Sequence, residues 1–365
     1  MTVFIIAEAG VNHNGDKESM LKLVDAAKEV GASAIKFQTY KTENLVTINA
    51  SKAQYQKVQT DPKQTQYEML KHLELSESDH HELLAYCNKK NIEFMSSAFD
   101  LDSFHFLVNE IGLERLKIPS GEITNAPLLL AHSQTKLDII LSTGMSTLDE
   151  IKEALGVLAF GLTNGKNPSK KNFKAAYSSN LGKSALKEKV SLLQCTTEYP
   201  APANEINLKS METLRETFNL KVGLSDHSNN DLVPITAVAL GASIIEKHFT
   251  LDKNMEGPDH QASMLPDEFK NMVQAINVVE TIMGNELKQP TSSELGNRIV
   301  ARKSLVAARD INNDEKFSSS NLTTKRPGSG ISPMEYWTYL NKRSQKAYKA
   351  DQLIEKINDR DPTDE

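Results

Sequence analysis

Two histidines stand where two consecutive apolar runs of the sequence end. His227 closes KVGLSDHS and His248 closes SIIEKHFT. An isolated histidine at a strand end most often makes only a structural hydrogen bond. Two histidines at equivalent heights of neighbouring strands instead predict a site for a divalent metal with several open positions, suited to a Lewis acid that also binds a substrate oxygen.

Two lysines interrupt other apolar runs. Lys36 lies within AIKFQTY and Lys117 within RLKIPSGE. Burying an ammonium group is costly without an anion, so each lysine either pairs with Glu8 or Glu122 or binds an anionic ligand. Serine hydroxyls occur at the same level, at Ser97, Ser120, Ser142 and Ser225. They favour a phosphorylated acid as the ligand, because hydroxyl and ammonium groups together suit phosphate and carboxylate.

Carboxylates follow the same runs. Glu8 and Glu122 can serve as general acid or base, or they can merely neutralise the lysines. Asp226, Glu246 and Asp259 lie near the histidines in the sequence. We expect these three to support the metal ligands or to bind substrate hydroxyls.

The runs that carry these residues predict the fold. Eight of them occur within the first 250 residues, at 3–10, 34–40, 93–100, 115–122, 138–145, 190–200, 221–228 and 243–250. Nearly continuous apolar runs are typical of parallel strands that are buried on both faces. Helical patterns separate them, for example over 16–30 and 266–283, with capping residues at Ser76 and Ser146. Eight βα units predict a (β/α)8 TIM barrel, whose chemistry lies at the carboxyl ends of its strands.

Two stretches do not fit the regular alternation of strands and helices. Residues 41–75 are too long for an ordinary loop, so we expect an excursion over the barrel mouth. Residues 161–189 are polar and weakly periodic, and we expect a surface insertion there, part of it mobile. The remaining organisation predicts a catalytic barrel over 1–284, a linker over 285–300 and a small β-rich domain over 301–360, because short strand-like pieces alternate with turns in the tail.

The overall composition excludes some classes of protein. A formal charge of −6 on 365 residues gives no broad basic field for nucleic acid. The apolar runs are too short to cross a membrane, and no basic segment precedes the first of them, so we expect a cytoplasmic protein. Its two cysteines, Cys87 and Cys195, are expected to be free thiols in the core.

The longer motifs resemble one known family. AEAGVNHNGD, KFQTYK, KIPSGEITN, CTTEYPAP, GLSDHS and IEKHFTLDKNMEGPDHQAS, with TTKRPGSGISPMEY in the tail, are similar to the bacterial sialic acid synthases. The resemblance is to the N-acetylneuraminate synthases and the related N,N'-diacetyllegionaminate synthases, more than to pseudaminate synthases. It implies a TIM barrel followed by an antifreeze-like (SAF) domain, in a homodimer whose SAF domains each cover the partner's barrel.

The resemblance also implies a reaction. Phosphoenolpyruvate condenses with an open-chain N-acylated amino sugar and water, and phosphate leaves by C–O cleavage. For the neuraminate synthases, our main expectation, the sugar is N-acetylmannosamine; for the alternative it is 2,4-diacetamido-2,4,6-trideoxymannose. The family needs a divalent metal, usually Mn²⁺, although Mg²⁺ and Co²⁺ suit a two-histidine site as well.

Individual residues match the motifs of the family. His227 and His248 match metal ligands, and Glu8 and Glu122 match acid–base carboxylates. The matches to the phosphoenolpyruvate site are Lys36, Ser97, Lys117, Ser120, Ser142, Thr197 and Ser225, although some members have Asn where this chain has Thr197. The expected sugar contacts are Gln38, Tyr199, Asp226, Glu246, Asp259 and, from the other subunit, Arg326.

Three other functions are compatible with parts of the pattern. The histidine pair alone permits a metal-dependent barrel hydrolase. Lys36 or Lys117 permits a Schiff-base aldolase, and the antifreeze-like tail alone permits a carbohydrate-binding protein without activity. None of the three requires all of the polar strand ends at once.

Overall fold

The computed structural model describes residues 2–61 and 63–357, and the chain divides into two compact units, Met1–Gly284 and Asn285–Glu365. The first unit is a closed barrel of parallel strands in sequential order, as predicted. Its strands are β1 (Phe4–Gly10), β2 (Ala34–Thr39), β3 (Glu93–Ala98), β4 (Arg115–Ile118), β5 (Asp138–Ser142), β6 (Val190–Cys195), β7 (Lys221–Asp226) and β8 (Ile244–His248).

Helices of the first unit cover the outside of the barrel or lie over its mouth. They are α1 (Lys17–Glu29), α2 (Thr42–Leu45), α3 (Gln54–Gln59), α4 (Gln66–Leu73), α5 (Glu77–Lys90), α6 (Leu101–Asn109), α7 (Ala126–Gln134), α8 (Leu148–Leu162), α9 (Lys170–Ser178), α10 (Asn180–Lys189), α11 (Ser210–Phe218), α12 (Leu232–Ala239) and α13 (Pro266–Met283). In the part of the chain that the structure describes, no helix combines the length and apolar character that a membrane crossing requires.

Local sequence signals explain where several helices begin and end. Asp16 caps α1 by accepting from the backbone of Ser19, and Gly31 follows the helix with a positive φ of 85°. Ser76 and Asp79 form the predicted capping box of α5. The start predicted at Ser146 is wrong by one residue, because Thr147 caps α8 and pairs with Glu150.

The polar stretch 161–189 is more regular than its composition predicts. It contains the whole of α9 and α10, which have few apolar residues. Phe173 packs edge-on against Phe160 of α8, with ring centroids 5.1 Å apart, and Leu186 is buried. Both helices of this segment pack against α8.

The second unit contains α14 (Ser292–Ala301), the antiparallel strands β9 (Ser304–Ala307) and β10 (Leu322–Lys325), and the short helix α15 (Tyr336–Tyr339). Isolated bridges add further β pairing at Val306, Ile311 and Lys316. Its own core includes Leu305, Phe317 and Tyr348. Most of α14 falls in 285–300, so the segment that we predict as a linker is largely helical. Residues 358–360 of the predicted tail domain lie outside the described residues.

Candidate active site

A cavity of about 370 Å³ lies at the carboxyl ends of the barrel strands. Polar residues predicted from the sequence line this cavity, most of them at or just after strand ends. We call this set the floor: Glu8, Lys36, Gln38, Ser97, Lys117, Ser120, Glu122, Ser142, Thr197, Tyr199, Ser225, His227, Glu246, His248 and Asp259. The excursion 41–75, which follows the carboxyl end of β2, also lines the cavity, as expected. We call its cavity-lining residues the roof: Leu45, Val46, Tyr55, Gln56, Gln66, Met69, Leu70 and Leu73.

The two-residue period of a β-strand explains why polar residues collect at this end. Deep in the barrel the inward side chains form an apolar layer that includes Ile6, Met95, Ile140 and Ile244. Two residues further along the same strands, the inward positions hold Glu8, Ser97, Ser142 and Glu246. Because alternate side chains of a strand point to the same face, a polar layer stands directly above the apolar one.

Lys36 and Lys117 are almost completely buried in this polar layer. Lys36 Nζ lies 2.7 Å from Glu8 Oε2 and donates to Ser97 Oγ at 3.2 Å. Lys117 Nζ donates to Ser142 Oγ at 2.8 Å and lies 3.4 Å from Glu246 Oε1. The ion pair that we considered for Lys36 is therefore present.

The carboxylates of the polar layer differ in their affinity for protons. Burial raises the pKa of Glu8 to about 7, against the opposing effect of Lys36. Burial also acts on Glu246, but Lys117 and Lys36 outweigh it and lower the pKa of Glu246 to about 2. Ser225 stabilises the same carboxylate by donating to Glu246 Oε1 at 2.8 Å. Protonation of Glu8 removes a negative charge from beside Lys36, which favours an anionic ligand there.

Glu122 and Ser120 come from the 3₁₀ turn Ser120–Glu122 directly after β4. Glu122 Oε2 accepts from Asn125 Nδ2 at 2.7 Å, and burial raises the pKa of this carboxyl. Ser120 Oγ accepts from the backbone N–H of Gly144 at 3.0 Å. Thr197 Oγ1 is buried and has no hydrogen-bond partner among the described residues, which leaves it available to a ligand.

The two histidines lie side by side, with ring centroids 5.3 Å apart. His227 Nδ1 is 2.7 Å from the carbonyl oxygen of Thr196, so we assign the proton to Nδ1 and leave Nε2 as an acceptor. Tyr199 stacks on this ring at 4.1 Å, and its hydroxyl lies 3.1 Å from Nε2.

The surroundings of His248 favour its neutral form, which is the form of histidine that can bind a metal. Burial and the neighbouring His227 lower its pKa well below the usual range. Its Nδ1 is buried and makes no hydrogen bond to any described residue, and Asp259 Oδ2 is 3.8 Å away. Among the described residues there is no group of three or more His, Cys, Asp or Glu that could hold a metal ion. The pair nevertheless fits a metal that takes its remaining ligands from water and substrate.

Asp226 does not line the cavity, in contrast to our expectation for a sugar contact. It occupies an outward position of β7, since its neighbours Ser225 and His227 point inward. There it forms an ion pair of 2.6 Å with Lys247 of β8, which is completely buried. Arg326 lies in the second unit directly after β10, where it is exposed.

Several residues that line the cavity are not among the sequence predictions. The ring of Tyr55 in the roof packs against that of Tyr199 at a tilt of 32°, with ring centroids 5.0 Å apart. Gln56 and Gln66 bring side-chain amides to the same cavity. Cys195 is free and buried as expected, but it also lines the cavity, 3.8 Å from His227 Nδ1. The position of Cys195 at the carboxyl end of β6 is the sequence feature that could have predicted its place in the cavity.

Comparison with known proteins places the chain in a family. Residues 23–288 match the model of the NeuB family and residues 302–356 that of the SAF domain. The chain is 48% identical to the N,N'-diacetyllegionaminic acid synthase of Campylobacter jejuni, over 96% of this chain and 98% of that protein. It is 47% identical to the protein of the same name from Legionella pneumophila, over 94% and 90% of the two chains. This protein belongs to the NeuB family.

A solved structure supports the same assignment. The crystal structure of N-acetylneuraminic acid synthetase from Leptospira borgpetersenii, in complex with citrate, matches with a TM-score of 0.65 and 32% identity, over 81% of this chain and 90% of that one. The predicted family, fold and enzyme class, a nonulosonic acid synthase, are thereby confirmed. The hydrolase, aldolase and silent-binding alternatives find no support among these relatives. Of the two sugars, the legionaminate precursor is the better supported, so our alternative expectation fits better than the main one.

Proposed function

We propose that this protein makes N,N'-diacetyllegionaminic acid from phosphoenolpyruvate, 2,4-diacetamido-2,4,6-trideoxymannose and water. The observation that carries the proposal is the polar layer of the barrel, where two buried lysines with serine partners stand beside a histidine pair, in a chain 47–48% identical to two enzymes of that name. In this proposal the lysines and serines of the layer bind the anionic substrate, and the histidines lie on the side that receives the sugar.

Phosphoenolpyruvate binds on the side of β2 to β5. Lys36 and Lys117 supply positive charge, and the hydroxyls of Ser97, Ser120 and Ser142 supply hydrogen bonds to phosphate and carboxylate oxygens. Both lysines have carboxylate neighbours within 3.4 Å, so the ligand shares them with Glu8 and Glu246. This arrangement orients the enol carbon of the ligand towards the histidines.

His227 and His248 would hold a divalent metal, which we propose is Mn²⁺. When bound, such a metal polarises the aldehyde oxygen of the open-chain sugar. Thr196 fixes the tautomer of His227 through its carbonyl oxygen, and burial keeps His248 neutral. Tyr199 stacks on His227 and, with Gln38 and Asp259, offers groups that can hold sugar hydroxyls.

The carboxylates move the protons of the reaction. The enol carbon of phosphoenolpyruvate bonds to the aldehyde carbon, and the resulting alkoxide takes a proton. Water then bonds to the cationic carbon that carries the phosphate and gives up one proton to a carboxylate. The C–O bond to phosphate breaks as the new hydroxyl becomes the keto group of the product, and the departing phosphate takes the proton of that hydroxyl. Glu8 is the better acid–base group, because its pKa of about 7 lies near the pH of the cell.

The second unit completes the sugar site in a homodimer, in our proposal. Arg326 carries an exposed guanidinium, which can donate to the N-acyl oxygen of a sugar bound by the other subunit. We propose a cytoplasmic enzyme, since phosphoenolpyruvate is produced there. Light scattering of the purified protein measures the mass and tests the dimer.

A direct assay tests the proposed reaction. The purified protein is incubated with phosphoenolpyruvate and Mn²⁺, and either 2,4-diacetamido-2,4,6-trideoxymannose or N-acetylmannosamine is added. Phosphate release should require a sugar and should be faster with the diacetamido sugar. Faster phosphate release with N-acetylmannosamine would indicate a neuraminate synthase instead. No phosphate release with either sugar would refute the proposal.

A further inference from the structure

The roof combines aliphatic and amide groups over a strongly polar floor. Its aliphatic members are Leu45, Val46, Met69, Leu70 and Leu73. Met69 and Leu73 are buried in a small core beneath the excursion, whereas Leu45, Val46 and Leu70 are only half-buried. Leu45 and Leu70 pack in part against that small core, and all three half-buried side chains belong to residues that line the cavity, which gives it an apolar side.

Geometry decides which part of the sugar meets this surface. The aldehyde carbon must lie over the floor, because it bonds to phosphoenolpyruvate held by Lys36 and Lys117. The far end of a six-carbon open chain then projects away from the floor. The roof belongs to the excursion beyond the carboxyl end of β2 and lines the same cavity, so carbons 4 to 6 are the part of the sugar placed to reach it.

The two candidate sugars differ only in that part. N-acetylmannosamine has hydroxyls at carbons 4 and 6, whereas the alternative has an acetamido group at carbon 4 and a methyl group at carbon 6. A hydroxyl buried against aliphatic side chains loses its hydrogen bonds to water and gains none. A methyl group at the same place gains contact area instead.

We propose that the aliphatic roof, chiefly Val46 and Leu70, makes the enzyme select acceptors that carry methyl groups at their far end. This inference rests on the proposed function, and it assigns sugar choice to the excursion rather than to the strand ends. It accounts for the position of apolar surface in a cavity whose floor binds charged and hydroxylated groups.

The amides of the roof fit the same acceptor. Gln56 Oε1 accepts from the backbone N–H of Ala53 at 2.9 Å, so the group that Gln56 can offer a ligand is its Nε2 donor. An amide donor matches the carbonyl oxygen of an acetamido group at carbon 4. Gln66 lines the cavity from the first turn of α4 and supplies a second amide.

Two substitutions test the proposal in the full-length protein. Val46→Thr keeps the shape of the side chain and adds a hydroxyl, and Leu70→Gln adds a longer polar group. The kcat/KM for each sugar is measured, and its ratio between the diacetamido sugar and N-acetylmannosamine should fall about 10-fold or more in each variant. The KM for phosphoenolpyruvate should stay the same, because the floor is unchanged.

Matched controls come from the same excursion. Val58→Thr and Ile48→Gln change side chains that are 75% and 72% exposed and do not line the cavity, so they should leave the ratio unchanged. The conservative variants Val46→Ile and Leu70→Met should keep the preference. If Leu70→Gln does not fold, the isosteric Val46→Thr decides alone.

The outcomes separate this inference from the proposed function. A wild-type enzyme that prefers the diacetamido sugar, with an unchanged ratio in Val46→Thr and Leu70→Gln, overturns the inference and leaves the function standing. An equal shift in Val58→Thr also overturns it. A wild-type enzyme that prefers N-acetylmannosamine contradicts the proposed function itself.

Discussion

Asp226 and Lys247 form a buried ion pair on the outer face of β7 and β8, with 2.6 Å between Asp226 Oδ2 and Lys247 Nζ. Each is the chain neighbour of a histidine, His227 or His248. Lys247 Nζ also contacts the carbonyl oxygen of Ser228. The pair therefore ties together the two strand ends that present the histidines to the cavity.

Removing one partner of this pair should destabilise the protein and disturb the histidines. Lys247→Met leaves Asp226 buried and unpaired, which should lower the free energy of unfolding by about 3–5 kcal/mol. Thermal unfolding measures the loss, and titration with Mn²⁺ should show weaker binding. Lys349→Met, which breaks an exposed pair with Asp310, is the control. Equal stability of the two variants would contradict the role of Lys247.

The lysines of the floor should matter mainly for phosphoenolpyruvate. Lys117→Met removes the ammonium that contacts Ser142 and should raise the KM for phosphoenolpyruvate about 10- to 100-fold, as expected for a lost charge-assisted hydrogen bond. Steady-state kinetics at saturating sugar measure this change. Lys221→Met, at the exposed start of β7, should leave that KM unchanged. An unchanged KM in Lys117→Met would remove this lysine from the anion site.

Glu8 and Glu122 can be distinguished by their amide variants. Glu8→Gln keeps the size of the side chain but cannot exchange a proton, so kcat should fall about 10²- to 10⁴-fold. Glu122→Gln should have the smaller effect, because Glu122 is less buried and hydrogen-bonded to Asn125. The reverse order of the two effects on kcat would assign the proton transfer to Glu122.

Complementation between subunits tests the position of Arg326. Arg326→Ala should raise the KM for the sugar and leave that for phosphoenolpyruvate unchanged. His227→Ala should be inactive. If each Arg326 serves the partner's barrel, mixed dimers of the two variants contain one complete site and recover activity. Mixing that restores nothing, under conditions where subunits exchange, would contradict a contribution across the dimer.

Stability should fall as the pH drops below the ordinary pKa of histidine. His132 is buried against Phe104, with ring centroids 4.3 Å apart, and burial lowers its pKa to about 4 from the usual 6.5. Between these values the unfolded chain binds a proton that the folded chain does not, so acid favours unfolding by up to about 3 kcal/mol.

Variants of two histidines identify this contribution to the pH dependence. His132→Leu should unfold with a smaller change in melting temperature between pH 7 and pH 4 than the wild type. His105→Leu changes an exposed histidine of α6 and should retain the wild-type dependence. The same pH dependence in all three proteins would show that His132 does not contribute.

The sequence predicts the barrel and most of the polar floor for one reason. Near-continuous apolar runs mark strands that are buried on both faces, and polar residues at their ends stand out from that background. Asp226, which we expected as a sugar contact, lies outside the cavity because it is adjacent to His227 in sequence, whereas adjacent residues of a strand point to opposite faces. Residues two positions apart share a face of the strand, so Ser225 points inward with His227 and Asp226 points outward.

The roof and the outer helices were harder to predict. Tyr55 reaches Tyr199 only because of the path of the excursion, and no local pattern specifies such a path. The helices α9 and α10 have polar sequences whose stability depends on a few contacts, such as that between Phe173 and Phe160. Tertiary contacts of this kind override a composition that is typical of loops.

The alternation of inward and outward positions limits how this protein can evolve. Deleting one residue within β8 would turn Lys247 into the barrel and His248 away from it, and would break the pair with Asp226 at the same time. Longer changes between strands carry no such penalty, because connections such as the one that contains α9 and α10 do not set the alternation within a strand. Gains and losses of residues should therefore accumulate in the connections, while the length of each strand stays constant.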